Sequence, residues 1–353
     1  MERYLLLAVN MLRGIGPRTI RKVYEAFGSL ERARRDPQRL RRVVGPSKAE
    51  MILRADPEAG RREMERAEAM GVRVMAFTDE EFPERLGIFE YLPVVLYYRG
   101  DPSILKSKTV AVVGTRYPSD DAKVMARAIG REVAKRGGVV VSGGAYGVDT
   151  HAHVGALEEG KTVVVLGSGF ARPYPKENRS LFSKVADGSG LVVSEFPLDT
   201  PPLQGNFPAR NRVISALSDA VVVVQAPAKS GALITASWAL EQGKDVWAVP
   251  FSPLDRRAYG SNRLLYDGAK PLYDIGHFLD EILGEAPSEP SVPREALDEL
   301  EASVLEALRE PLHLDEIAYR TGIPLSRLYS VLLSLQMKGY VREMPGKVFK
   351  AVL

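Results

Sequence analysis

Cysteine is absent from the 353 residues. That excludes a disulfide framework, a Cys-based zinc site and a Cys nucleophile. Histidine occurs only four times, at 151, 153, 277 and 313. His151 and His153 diverge on a helix, and no acidic cluster supplies metal-ligand spacing, so no metal is expected. No G-x-S-x-G or H-E-x-x-H string occurs, and no catalytic residue is assigned. No apolar run reaches the roughly 18 residues of a membrane span. The apolar stretch 5–9 is too short for a signal peptide, so the expected compartment is the cytoplasm, without membrane contact. Asn and Gln number five each beside 24 prolines, the composition of a heat-stable chain.

What is present is an ordinary globular composition, 45% hydrophobic and 26% charged, with a length that suits two or three domains. The net charge of +3 is uneven. Residues 1–70 carry +6, residues 71–283 are neutral and residues 284–353 carry −3. The first segment reads as helical throughout. Arg13-Gly14-Ile15-Gly16-Pro17 joins two apolar helical runs, and Val44-Gly45-Pro46-Ser47-Lys48 begins a looser copy. This is either a helix-hairpin-helix or SAM-like module that holds DNA phosphate on turn N–H groups, or a plain αα-hairpin whose turn also needs Gly. The sequence leaves both open.

From residue 71 the pattern changes. Residues 72–77 and 94–98 read as strands. Short Val-rich runs then alternate with helices: strands at 110–113, 139–141, 162–166, 191–193, 220–224 and 246–249, helices at 120–136, 149–159, 209–217 and 232–242. Apolar runs without polar alternation are strands buried on both faces, and their alternation with helices gives a doubly wound, mostly parallel α/β sheet. Residues 284–295 form a Pro/Ser/Glu linker. Residues 296–353 read as helices at 296–308, 314–321 and 325–338 followed by a hairpin turning at 344–346, a winged-helix outline. The third of these helices offers only Arg327 and Lys338 to a phosphate.

Gly155 to Thr162 matches the P-loop letters G-x-x-x-x-G-K-[ST]. The string runs from a helix into a strand, the reverse of the context a P-loop requires, so Gly160 reads as a helix C-cap. Ser142-Gly143-Gly144-Ala145-Tyr146-Gly147-Val148-Asp149 follows a strand and opens a helix, a context suited to an anion. No ribose-binding acid follows at the next strand end, where Gly167, Ser168 and Gly169 stand, so no dinucleotide cofactor is expected. Asp149 reads as the cap of its helix and His153 as packed beneath the crevice. Gly114-Thr115-Arg116, Tyr174 to Asn178 with Lys176, Arg210-Asn211-Arg212 and Ser230-Gly231 to Thr235 lie at other strand ends or helix starts. In a parallel sheet these ends converge on one edge, so the set predicts a polyanion crevice.

In order and spacing these strings resemble the DprA/Smf DNA-processing proteins. One departure is Phe251 after Val249-Pro250, where the family usually has Gly. The resemblance implies a non-enzymatic, homodimeric single-stranded-DNA-binding protein that protects incoming strands and loads the RecA recombinase in natural transformation, without a cofactor. Its DNA site would comprise Gly114, Thr115, Arg116, Ser142, Gly143, Gly144, Ala145, Gly147, Gly167, Ser168, Lys176, Asn178, Arg210, Asn211, Arg212, Ser230, Gly231 and Thr235. The alternative is a nucleotide phosphoribohydrolase on a similar fold. Those enzymes resemble P-G-G-x-G-T-x-x-E, and the position of that Glu here is Trp238.

Overall fold

The computed structural model describes residues 1–188, 190–284, 297–308, 310–338, 340–344 and 346–351. The chain divides into two compact units, Met1–Glu285 and Ala286–Leu353.

The first unit begins with helices α1 (Glu2–Asn10), α2 (Pro17–Phe27), α3 (Leu30–Arg35), α4 (Pro37–Val44), α5 (Pro46–Leu53) and α6 (Pro57–Ala69). Four of them start on proline, whose missing N–H would be unpaired there in any case. Both predicted Gly-Pro turns, Gly16-Pro17 and Gly45-Pro46, start helices, and Lys48 Nζ bonds Thr19 Oγ1 at 3.2 Å between them. The buried faces of these helices, Leu5, Leu6, Ile20, Leu40 and Ile52 among them, share one apolar cluster with Val94, Val95 and Tyr97 of the segment that follows.

That segment is β1 (Arg73–Ala76), β2 (Val95–Gly100), β3 (Thr109–Val113), α7 (Asp120–Lys135), β4 (Val139–Ser142), α8 (Val148–Glu159), β5 (Thr162–Val165), α9 (Arg179–Asp187), β6 (Leu191–Ser194), α10 (Asn206–Ala216), β7 (Ala220–Val223), α11 (Gly231–Glu241), β8 (Asp245–Ala248), α12 (Tyr259–Tyr266), β9 (Lys270–Pro271) and α13 (Ile275–Leu283). The sheet order is β1-β2-β6-β5-β4-β3-β7-β8-β9. The strands from β6 across to β9 run parallel, whereas β2 pairs antiparallel with both β1 and β6. Alternate strand residues feed opposite faces: Ala111, Val113, Val221 and Val223 one core, Val110, Val112, Ala220 and Val222 the other. This is the physical reason for the unbroken Val runs. Helix α10 starts at Asn206, three residues before the predicted start. Pro208 is tolerated because it falls in the first turn.

Helices α7 and α8 cross at glycine contacts. A Cβ on Gly130 would lie 2.2 Å from the Ala152 carbonyl oxygen, and one on Gly155 2.0 Å from that of Arg127. Gly155 of the P-loop look-alike is thus a helix-packing glycine. Gly160 closes α8 with its N–H on the Ala156 carbonyl, as expected from the sequence.

The second unit contains α14 (Glu299–Ala307), β10 (Leu312–His313), α15 (Leu314–Thr321), α16 (Leu325–Met337), β11 (Val341–Met344) and β12 (Val348–Ala351), with strand order β10-β12-β11. Three helices and a hairpin were expected; the two-residue β10 was not. Asp298 and Glu301 form a capping box at α14. Of the expected linker only Gly284 falls within the described residues; Ala296, Arg309, Gly339, Pro345, Val352 and Leu353 of the expected C-terminal domain also lie outside them.

Candidate nucleic-acid interface

The chain leaves β3 for β4 on one side and β7 for β8 on the other. Where neighbouring parallel strands lead opposite ways, their carboxyl ends part and open a crevice. A cleft of about 740 Å³ opens there. Its lining comes from the loops after β3, β4, β5, β6 and β7 and from α8, α10 and α11.

The loop after β3 is fixed to β7. Thr115 N–H donates to the Gln225 carbonyl at 2.7 Å, Thr115 Oγ1 accepts from Tyr117 N–H at 3.2 Å, and Gln225 Oε1 accepts from Ser119 N–H at 2.9 Å. These bonds leave Arg116 and Tyr117 exposed. The Arg116 guanidinium sits 5.5 Å from the centroid of Phe207, whose ring lies 5.6 Å from that of Tyr174. Across the cleft Ser230 caps α11 by accepting from Ala232 N–H at 3.2 Å, and Asn211 Nδ2 donates to the Gly231 carbonyl at 2.9 Å.

The loop after β4 is held from inside. Asp149 Oδ2 accepts from the N–H groups of Gly143 and Ala145 at 3.1 and 3.3 Å. The acid read as a helix cap therefore shapes the preceding loop. Asn178 Nδ2 donates to the Gly144 carbonyl and to Thr150 Oγ1. Gly147, at φ 77°, passes so close to Thr115 and Arg116 that a Cβ would lie 2.4 Å from the Thr115 carbonyl oxygen. Beneath it the buried Arg210 donates Nη1 to the carbonyls of Gly143, at 2.7 Å, and Val165. Burial pulls the Arg210 guanidinium down to about 10, with Asp149 opposing, so it stays cationic at neutral pH. Burial pushes the Asp149 carboxyl upward, against Arg210 and the two amides.

Of the residues predicted from sequence, Gly114, Thr115, Arg116, Ala145, Arg210, Asn211, Ser230, Gly231 and Thr235 line the cleft. The others do not. Ser142 is buried and its hydroxyl donates to the Val112 carbonyl at 2.6 Å. The Gly143 amide is spent on Asp149, and Gly144 and Asn178 bond each other. Gly147 packs on the β3 loop, Gly167 lies against the Phe207 ring and Ser168 is fully buried. Lys176 is exposed beyond the lining. Arg212, expected in the basic lining, is instead nearly buried in a two-pronged ion pair with Glu195.

Sequence reasoning missed Tyr117, Gln204, Phe207 and Lys229 in the lining. Their signal was adjacency: Tyr117 follows Arg116 and Lys229 precedes Ser230. A search for phosphate ligands alone passes over aromatic rings that could carry a base. Trp238, at the position where the alternative enzymes carry their acid, packs at a tilt against Tyr91 with ring centroids 5.0 Å apart and lies outside the lining.

Sheet order and cleft together define a Rossmann-like ligand-binding protein with a winged-helix unit after it. Residues 73–283 match the DNA recombination-mediator protein A family, and residues 287–347 match the DprA winged helix domain. The chain belongs to that family. It is 33% identical to Protein Smf of Synechocystis over 98% of both chains. It is 41% identical to DNA processing protein DprA of Streptococcus pneumoniae over 54% of this chain and 68% of that protein. The X-ray structure of the Streptococcus pneumoniae protein matches 80% of this chain and 98% of its own, with a TM-score of 0.71 at 31% identity. The structure of DNA processing protein A from Helicobacter pylori, described for its single-stranded DNA binding mode, matches 59% and 98% with a TM-score of 0.55 at 34% identity.

Proposed function

We propose that the protein binds single-stranded DNA in the β3–β7 cleft, protects incoming strands during natural transformation and loads RecA on them, as a homodimer and without catalysis. One observation carries the DNA site: Arg116 and Lys229 line the cleft as exposed cations with no ion pair among the described residues, beside the rings of Tyr117, Tyr174 and Phe207. Cations that track a backbone with rings that stack bases are the general chemistry of single-strand binding. The relatives named as DNA processing proteins, and the Helicobacter pylori protein above all, support the reading. Fluorescence anisotropy with matched single- and double-stranded oligonucleotides tests it. Tighter single-strand binding is expected, and equal affinity overturns it.

A further inference from the structure

Thr235 differs from Ser237 and Thr321, helical hydroxyls that each donate to the carbonyl four residues earlier, the ordinary refuge of a helical hydroxyl. The carbonyl four residues before Thr235 is that of Gly231, which Asn211 Nδ2 already occupies at 2.9 Å. Thr235 is 1% exposed and lines the cleft, and its hydroxyl makes no hydrogen bond among the described residues. A buried hydroxyl without a partner is costly, and what surface it has belongs to the cleft.

The same end of the cleft gathers donors. Helix α11, eleven residues long, begins there with Ser230 as its cap and Gly231 exposed. Lys229 is adjacent in sequence, and Arg116 lines the same cleft from the β3 loop with its guanidinium over the Phe207 ring. Ala232 and Leu233 give their N–H groups to Ser230, so the helix start presents the Gly231 N–H; an amide, a hydroxyl and cations are what a phosphate dianion recruits. Other lining residues differ in kind: Tyr117, Tyr174 and Phe207 are rings, Gln204 offers an amide, and the one acid, Asp149, is occupied by the Gly143 and Ala145 N–H groups. The volume lies within the range of roughly 300–1,000 Å³ typical of small-molecule pockets, larger than a lone phosphate needs.

We propose that this cleft is a self-contained site for one nucleotide unit. It takes a free nucleoside 5′-monophosphate, with the phosphate on Thr235 and the start of α11 and the base among the rings. The inference rests on the DNA-binding reading of the same cleft but does not follow from it, since a strand can bind along a groove that no single nucleotide recognises.

The test is calorimetric titration of the full chain with dTMP, thymidine and inorganic phosphate, beside an anisotropy titration with oligo-dT. Binding of dTMP at least about tenfold tighter than of either fragment is expected. Thr235→Val should weaken dTMP about tenfold, the worth of a hydrogen bond to a charged group, and Thr235→Ser should restore it. A thermal melt of each variant separates lost binding from lost folding. Absence of dTMP binding, dTMP no tighter than phosphate, or dTMP binding indifferent to Thr235→Val each overturns the inference, whatever oligo-dT does. Failure of oligo-dT to bind falls on the DNA reading instead.

Discussion

Arg212 grips Glu195 with both prongs, Nη1 to Oε1 at 3.0 Å and Nη2 to Oε2 at 2.6 Å, and both side chains are only about one-tenth exposed. Its neighbour Arg210 turns the other way, into the loop beneath the cleft. Two arginines two residues apart therefore serve different parts of the structure. Arg212→Ala should strand a nearly buried carboxylate and cost roughly 3 kcal/mol of stability, while the folded protein keeps its single-strand affinity. Urea unfolding and anisotropy on the same preparation check both halves.

Arg116→Ala should do the reverse. The side chain is exposed, so the melting temperature should hold. Affinity for single strands should fall by about 1–3 kcal/mol, the scale of a charge-assisted phosphate bond. Lys176 lies beyond the lining, and Lys176→Ala should cost less. Normal binding by the Arg116 variant would remove the cleft from consideration.

Salt should report how many phosphates the rim neutralises. With Arg116 and Lys229 each engaging one, log K should fall against log salt with a slope of roughly −1.4, at about 0.7 per phosphate for single strands. Each of Arg116→Ala and Lys229→Ala should flatten the slope by about 0.7. A flat response in the parent protein would exclude phosphate-led binding.

His153 sets an acid limit on folding. It is fully buried, its Nδ1 lies 2.7 Å from Thr162 Oγ1, and burial pulls it down to about 3 from 6.5. The folded chain therefore resists protonation that the unfolded chain accepts below 6.5. The stability from a neutral His153 is complete above that value and is lost as pH falls toward 3, at up to about 1.4 kcal/mol per pH unit. Between pH 6.5 and 5, before most carboxylates titrate, the urea midpoint should decline. In His153→Asn that decline should be shallower, and equal slopes would contradict the assignment.

The winged-helix unit should contribute little to single-strand affinity. Of the two cations that α16 and its cap offer, Lys338 is held at 2.9 Å by Glu301, which also accepts from Ser334. Arg327 remains, and the segment carries −3 overall. Deleting residues 285–353 should leave affinity within a factor of ten, about 1.4 kcal/mol. A larger loss in anisotropy at fixed salt would return the DNA anchor to this unit.

The strands were legible because burial on both faces writes itself as unbroken valine. The cleft was legible because Gly, Ser and Arg recur after those strands. What sequence hid is direction. Arg210, Arg212 and Ser142 have the composition of a phosphate site, yet each points into protein, toward a carbonyl or a carboxylate that lies far away in sequence. Gln204 and Phe207 were hidden for the opposite reason: nothing local separates them from ordinary surface residues, and only the fold brings them to the cleft beside the β3 and β7 loops.

The glycine crossing of α7 and α8 bears on how the cleft could change width. With carbonyl oxygens where Cβ atoms would stand, those helices have no slack for sliding past each other. The loops at their amino ends are locked as well, by Gly147 against Thr115 and Arg116. One jaw of the cleft is therefore an anvil, and the buried Arg210 ties the start of α10 to it through the Gly143 and Val165 carbonyls.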